Sequence, residues 1–270
     1  MLFSPVLQAS PIAAENAPAA AAAEPTGTGD LLVAPTRVVL EGRTRAAEVT
    51  LSNKAAKEAT YRISFTHLRM DENGKYTEIS EEAAKKDPLS ADAMLRYSPH
   101  QVTLKPGESQ TVKVMARPVQ GLADGEYTSH LLFRAVPDVS AGQDVEMKTV
   151  QQGQLSVRLI PVYGVSIPVI VRQGTVSAQA KLSNAALSGK NLTVTINRSG
   201  NKSVYGDVIV TDASGNVAGQ ARGVAVLVPN AKRNVQVPLN AGAAGNLTIE
   251  YREREEEGGK ILDKVTLKSS

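Results

Sequence analysis

The residue types that most often carry out chemistry are few in this chain, and their spacing does not assemble a reactive group. None of the three histidines, His67, His100 and His130, lies in a spacing that metal sites use. Ser129 directly precedes His130, so on a strand the two side chains would point to opposite faces and could not form a nucleophile–base pair. The segment Ser199–Ser203 lacks the glycine and lysine spacing of a phosphate-binding loop. These residues predict no enzyme, no cofactor and no metal site.

The composition excludes further classes of function. Cysteine is absent, which removes disulfides, thiolate catalysis and cysteine-ligated zinc. The 30 basic residues nearly balance the 27 acidic ones, and they form no stripe, so we expect no binding to nucleic acid. No stretch approaches the roughly 18 apolar residues that span a bilayer, so we expect no membrane insertion.

From Leu31 onward the chain is a series of short runs in which apolar and polar residues alternate. Alternation with period two is typical of β-strands that bury one face. Residues 31–172 hold several such runs, and residues 173–270 hold seven more, divided by turns such as Asp212–Gly215. Strands at this spacing predict an all-β chain of two consecutive sandwich domains. A single long β-barrel is the lesser alternative.

The first 30 residues have a different character, because they are rich in alanine and proline and show no pattern that could bury a face. We interpret residues 1–30 as a flexible leader. The leader lacks the positive start of a signal peptide, although alanine sites of the cleavage type follow. The tail of a signal peptide and a plain disordered tail therefore both fit. The predicted domains are residues 31–172, with a polar loop at 138–153, and residues 173–270.

Three motifs occur in a distinctive order. They are Pro35-Thr36-Arg37, the segment 95–114 (LRYSPHQVTLKPGESQTVKV) and the segment 124–137 (DGEYTSHLLFRAVP). Together they resemble the first domain of the PapD-like periplasmic chaperones of chaperone–usher pilus assembly. The resemblance covers residues 31–172 well, whereas in residues 176–270 only the strand pattern agrees.

The resemblance implies a chaperone in the periplasm that is not an enzyme and has two immunoglobulin-like domains with a cleft between them. Its partners would be pilin-type subunits, whose own sandwich lacks a strand, and an outer-membrane usher that takes the subunit over. In this family the chaperone fills the gap in the subunit with an edge strand of its own, the donor strand.

The donor strand would follow the polar loop. Leu155, Val157 and Leu159 share one face of an extended strand, and Tyr163 continues that face. Burying each large apolar side chain contributes about 1.5–3 kcal/mol, so three of them offer roughly 5–9 kcal/mol before ordering costs. The same side chains would also suit the core of their own domain, and the sequence leaves both interpretations open.

In this family two basic residues grip the C-terminal carboxylate of the subunit. Arg37 matches the arginine of the family's T-R pair, although a solvated strand arginine has the same local pattern. The second basic residue is a lysine late in the donor strand, where this chain has Pro168. Either Arg158 or Arg172 would complete the grip, or Arg37 would act with backbone donors alone.

The sequence also allows a second function. The main alternative is a structural or adhesive immunoglobulin-like surface protein, including a pilus component itself. A hydrolase or sugar-binding module is disfavoured, because tryptophan is absent and no acid pair has a defined spacing. The acidic run Glu253–Glu257 is interpreted as a solvated hairpin tip rather than a cation site. An exposed apolar edge strand can pair between copies, so the sequence also allows a homodimer at rest.

Overall fold

The computed structural model describes residues 31–117, 119–137, 162–241 and 245–268, and nearly all of their regular structure is β-strand. The predicted leader at residues 1–30 lies outside this part of the chain. A short helix, α1 (Glu81–Lys85), begins at Ser80, whose Oγ accepts a hydrogen bond from the N–H of Ala83. Within the described residues, no helix has the length and apolar character that crossing a bilayer requires.

The N-terminal sandwich contains two sheets and a small hairpin. One sheet has the strand order β1-β3-β9-β7 and the other β2-β11-β10-β4-β8, while β5 and β6 pair with each other. The strands are β1 (Leu31–Ala34), β2 (Val38–Glu41), β3 (Ala46–Asn53), β4 (Ala59–Thr66), β5 (Leu68–Met70), β6 (Tyr76–Glu78), β7 (Leu95–Ser98), β8 (Gln101–Leu104), β9 (Ser109–Ala116), β10 (Gly125–Val136) and β11 (Gly164–Gln173).

The period-two alternation buries one face of each sheet. In β9, for example, Val112, Val114 and Ala116 are buried while the residues between them are exposed. These side chains pack with Tyr61 and Phe133 of the facing sheet in one apolar core. Because burying a large apolar side chain contributes about 1.5–3 kcal/mol, this core is what holds the two sheets face to face.

The C-terminal sandwich has the sheet orders β12-β13-β16 and β15-β14-β17-β18 around a second apolar core. The prediction of an all-β chain with two consecutive immunoglobulin-like sandwiches is therefore confirmed. The strands are β12 (Ala178–Ser188), β13 (Asn191–Gly200), β14 (Val204–Thr211), β15 (Val217–Val226), β16 (Lys232–Pro238), β17 (Leu247–Glu253) and β18 (Ile261–Leu267).

An aspartate closes two of the tight turns. In the turn between β5 and β6, the Oδ1 atom of Asp71 accepts hydrogen bonds from the N–H groups of Asn73 and Lys75, both at 2.9 Å. Gly74 completes this turn with a φ of +83°, which favours glycine. The predicted turn Asp212–Gly215 between β14 and β15 has the same pattern of hydrogen bonds to its aspartate.

The two sandwiches are joined by β11, which ends at Gln173 shortly before β12 begins at Ala178. Further contacts link them. The Nδ2 atom of Asn201 donates to the carbonyl of Asp124 at 3.1 Å, and the Nδ2 atom of Asn230 donates to the carbonyl of Met70 at 2.6 Å. The division into residues 31–172 and 173–270 stays a prediction, and the two cores lie on either side of it.

Candidate functional site

The outer edge of β11 is covered along only part of its length. β2 runs parallel to β11, and their pairing extends from Val38 opposite Val169 to Glu41 opposite Arg172. Among the described residues, no strand pairs with the outer edge of β11 at Gly164–Pro168. This stretch, which we call the free edge, is therefore open to a strand from another molecule.

The backbone groups of β11 alternate in direction. The N–H of Ala135 donates to the carbonyl of Tyr163 at 3.1 Å, so these two residues form a hydrogen-bonded pair. Such pairs recur at every second residue of an antiparallel ladder, and the register between β10 and β11 has no shift. The N–H and C=O groups of Gly164 and Ser166 therefore point away from β10, toward the free edge.

Pro168, which stands where the resemblance predicts a lysine, belongs to the same outward-pointing set. It lies opposite His130 in a pair that exchanges no hydrogen bonds, so its missing N–H costs no bond to β10. Continuing the parallel register of β2 by one residue places Arg37 beside Pro168. Arg37 thus stands where β2 stops covering β11 and the free edge begins.

Of the four residues predicted for the donor strand, one is described. Tyr163 directly precedes β11 and has 54% of its surface exposed, and its neighbour Val162 is also exposed. Ile167 and Val169, at positions of the same parity, pack into the N-terminal core. Tyr163 therefore continues the core-facing side of β11 past the end of that core. The residues Leu155, Val157, Arg158 and Leu159 lie outside the described part of the chain.

Arg37 reaches from the N-terminal sandwich to the C-terminal one. Its Nη1 atom donates to Oε1 of Glu257, and its guanidinium carbon lies 4.5 Å from the centre of the Tyr205 ring. Its Nη2 atom is buried and has no hydrogen-bond partner among the described residues. Leaving such a donor unpaired costs about 1–3 kcal/mol.

Arg172 lies beneath this point with 4% of its side chain exposed, and three carboxylates share its guanidinium. The Nε atom donates to Glu126 at 3.1 Å, the Nη1 atom to Glu41 at 2.9 Å, and both terminal nitrogens to Glu257 at 3.2 Å. Burial alone would lower the pKa of Arg172, but the hydrogen bond to Glu41 and the other two carboxylates raise it above its ordinary value. These bonds leave Arg172 little capacity for a further carboxylate, and its anchoring role stays a prediction.

Glu257 accepts hydrogen bonds from both arginines and so links the two sandwiches. Its side chain is only 11% exposed, so the interpretation of Glu253–Glu257 as a solvated hairpin tip is wrong at this residue. Burial raises the pKa of Glu257, but the charges of Arg172 and Arg37 outweigh burial and hold that pKa below its ordinary value. Glu257 is therefore ionised at neutral pH.

A cleft of about 680 Å³ opens between the sandwiches beside these residues. Four basic residues line it, namely Arg37, Arg172, Lys202 and Arg254. The Arg254 guanidinium is paired with Asp207 and Glu256. In contrast, the Lys202 ammonium forms no ion pair with any carboxylate in the described part of the chain. The cleft therefore combines three arginines that are paired with carboxylates and one lysine that is not.

Several residues of this site were not predicted from the sequence, among them Glu126, Lys202 and Glu257. Their importance depends on partners that are distant along the chain, since Arg172 is 46 residues from Glu126 and 85 from Glu257. The one local signal is at Glu126, a charged residue in a strand that is otherwise largely buried. Lys202 and Glu257 lie in polar turns, where charged side chains are common.

The residues first considered for catalysis meet in the N-terminal sandwich without forming a reactive pair. Ser129 donates its hydroxyl proton to Asp92, and the Nε2 atom of His67 lies 3.3 Å from the same carboxylate. The Ser129 hydroxyl therefore donates to a carboxylate rather than to an imidazole, so it does not form the serine–histidine pair of a catalytic triad in this arrangement. In the described part of the chain, no group of three or more histidine, aspartate or glutamate side chains could hold a metal ion.

Residues 30–161 match the family model for the pili and flagellar-assembly chaperone, PapD N-terminal domain. No curated protein matches the sequence significantly. Among solved structures, the YadV chaperone has a TM-score of 0.49 at 14% identity, covering 88% of this chain and all (100%) of its own. The CupB2 chaperone of Pseudomonas aeruginosa has a TM-score of 0.47 at 13% identity, with coverages of 88% and 99%. The CsuC–CsuE chaperone–tip adhesion subunit pre-assembly complex of Acinetobacter baumannii has a TM-score of 0.44 at 16% identity, with coverages of 87% and 97%.

Proposed function

Because this chain belongs, through its PapD N-terminal domain at residues 30–161, to the pili and flagellar-assembly chaperones, we propose that it captures pilin-type subunits in the periplasm by donating a strand. The observation that carries the proposal is the free edge of β11 with Arg37 at its end. The chaperone completes the sandwich of the subunit, keeps it folded and delivers it to an outer-membrane usher. It turns over no substrate.

The position of Arg37 determines the direction of the bound strand. Arg37 lies beside Pro168, at the C-terminal end of the free edge. A subunit strand whose C-terminal carboxylate meets Arg37 extends from there past Ser166 and Gly164 toward Tyr163. Such a strand runs parallel to β11, in the same direction as β2, and bonds to the outward-pointing backbone groups of Ser166 and Gly164.

The free energy of capturing a subunit would have two sources, namely the backbone hydrogen bonds of the added strand and the charged hydrogen bonds between Arg37 and the subunit carboxylate. Each backbone hydrogen bond contributes about 0.5–1.5 kcal/mol net, and a bond to a charged group about 1.5–3 kcal/mol. The anchor also fixes the register, because a slip by one residue would turn every side chain of the subunit strand to the wrong face. Arg37 therefore contributes to specificity as well as to affinity.

We extend the proposal to the chain that precedes the free edge. Leu155, Val157 and Leu159 share the parity of Tyr163, whose side chain is already outside the N-terminal core. In a continued strand these side chains would enter the groove that the missing strand leaves in the subunit. Without a subunit, the same edge suits a second copy of this chain, so we also propose a homodimer at rest.

Co-purification from the periplasm tests the proposal. The full chain is compared with Arg37→Ala and with Arg62→Ala, which removes an exposed arginine of β4 and changes the net charge equally. We expect the unchanged chain and Arg62→Ala to carry one small subunit in equimolar amount, and Arg37→Ala to lose it.

The stability of the variants is the control. Because Arg172 still holds Glu257 in Arg37→Ala, we expect its free energy of unfolding to fall by only about 1 kcal/mol. Equal recovery of the subunit by Arg37→Ala would remove Arg37 from the mechanism. Self-association of the chain into polymers without a subunit would favour a structural pilus protein.

A further inference from the structure

We propose that Lys202, on the turn between β13 and β14 of the C-terminal sandwich, is the second cation that binds the C-terminal carboxylate of the subunit. The inference rests on the proposed strand capture and completes its anchor. One oxygen of the carboxylate would face the Arg37 guanidinium at the wall of the cleft, and the other would accept from the Lys202 ammonium across the cleft. Lys202 belongs to the C-terminal sandwich, so the anchor would be built by both domains.

The other basic groups near Arg37 are already engaged or missing. Pro168, beside Arg37, carries no charge. Arg172 is bound by three glutamates, and Arg254 by Asp207 and Glu256. Of the basic side chains that line the cleft, Lys202 is the one with no carboxylate partner in the described part of the chain.

The ion cluster offers no surplus positive charge to an entering anion. It contains Arg37 and Arg172 against Glu41, Glu126 and Glu257, and the charge of Arg198 also acts on Glu126. A carboxylate entering beside such a balanced cluster gains little attraction unless a further positive charge faces it. The Lys202 ammonium would supply that charge.

The backbone of the turn that carries Lys202 is held on both sides. The Nη1 atom of Arg198 donates to the carbonyls of Gly200, at 2.8 Å, and of Lys202, at 3.0 Å. The N–H of Ser203 donates to the buried Glu126 of β10 at 3.2 Å, and the Nδ2 atom of Asn201 donates to the backbone carbonyl of Asp124. A turn fixed to the N-terminal sandwich in this way keeps the backbone of Lys202 beside the cleft, which lowers the entropy cost of binding.

A labelled peptide tests the proposal on the full chain. The probe is a short peptide of alternating valine and threonine with a dye at its N-terminus, made with either a free C-terminal carboxylate or a C-terminal amide. Binding is measured by fluorescence anisotropy for the unchanged chain, Lys202→Gln and Lys190→Gln. Lys190 is a matched control because it is exposed, lies at the opposite end of β13, and its change removes the same charge.

We expect the unchanged chain and Lys190→Gln to prefer the carboxylate peptide, and Lys202→Gln to bind it about tenfold more weakly. Binding of the amide peptide should be the same for all three proteins, and Lys202→Arg should retain the preference. Unchanged binding of the carboxylate peptide by Lys202→Gln, or an equal loss for both peptides, would overturn the role of Lys202. If Arg37→Ala abolished the preference while Lys202→Gln kept it, strand capture with the Arg37 anchor would stand and Lys202 would not. If the unchanged chain bound neither peptide, or both equally, the anchor itself would be refuted.

Discussion

The arginines Arg37 and Arg172 bind the same carboxylate, that of Glu257, yet their surroundings give them different tasks. Arg172 is buried among three glutamates, and removing it would leave those charges unpaired in the interior. Arg37 has one carboxylate partner, Glu257, and lines an open cleft. Arg172 therefore holds the sandwiches together, and Arg37 lies where a ligand entering the cleft would meet it.

The burial of His130 should make the stability of the protein depend on pH. It is buried in β10, and its burial, with a smaller contribution from the charge of His67, lowers its pKa to about 4. Because the unfolded chain takes up the proton near pH 6.5 and the folded chain does not, stability falls as the pH drops from about 6.5 to 4. The loss from this one group approaches about 3 kcal/mol at the lower limit.

The variant His130→Asn isolates the contribution of His130 protonation to stability. The asparagine amide does not titrate in this pH range, and the substitution removes the buried Nε2 atom that has no partner. Urea unfolding at pH 7.0 and at a series of lower pH values gives the free energies to be compared. We expect the unchanged chain to lose more stability than His130→Asn over this range. Parallel losses in the two proteins would show that His130 does not carry the dependence.

At the scale of the element, β11 performs two tasks along one strand. Its C-terminal half lies between β10 and β2, while its N-terminal half pairs with β10 alone. The alternation of hydrogen-bonding direction decides which residues are available to a partner, namely Gly164 and Ser166. Pro168 shows that a residue without an N–H is tolerated in this outward-pointing set.

The variant Ser166→Pro tests whether the backbone of Ser166 bonds to a partner strand. The N–H of Ser166 points to the free edge, so removing it should leave the ladder with β10 intact and the thermal unfolding nearly unchanged. Binding of the carboxylate peptide should weaken about three- to tenfold, as expected for the loss of one backbone hydrogen bond. Ser166→Ala, which keeps the N–H, is the control and should bind as the unchanged chain does. If Ser166→Pro bound the peptide equally well, the strand would not add at this edge.

Sequence patterns predicted the strands and some of the turns, but not the contacts between residues that are distant along the chain. Alternation in runs such as β9 predicted strands correctly, and Asp212 marked a tight turn that its own side chain closes. The extent of the free edge could not be predicted, because it depends on where β2 stops pairing with a strand that lies about 130 residues further along the chain. The T-R motif identified Arg37, but no local pattern distinguishes Lys202 from any other lysine in a turn.

At the scale of the whole molecule, the proposed function requires two sandwiches in one fixed relation. Arg37 and Arg172 of the first sandwich meet Glu257 of the second, and Glu126 of β10 binds Ser203. These contacts join residues far apart in sequence, so only the assembled fold brings them together. They define the cleft that stands at the end of the free edge and so connect domain orientation to the binding of a subunit terminus.

Residue-resolved amide hydrogen exchange of the full chain, with and without the carboxylate peptide, shows whether the outer edge of β11 receives a strand. We expect the peptide to slow exchange at Gly164 and Ser166, whose N–H groups face outward, and to leave Val165 and Ile167 unchanged because they already bond to β10. The same peptide with a C-terminal amide should protect Gly164 and Ser166 less. Protection confined to another edge, such as β8, or no protection at Gly164 and Ser166 despite binding, would contradict the claim that this edge receives the strand.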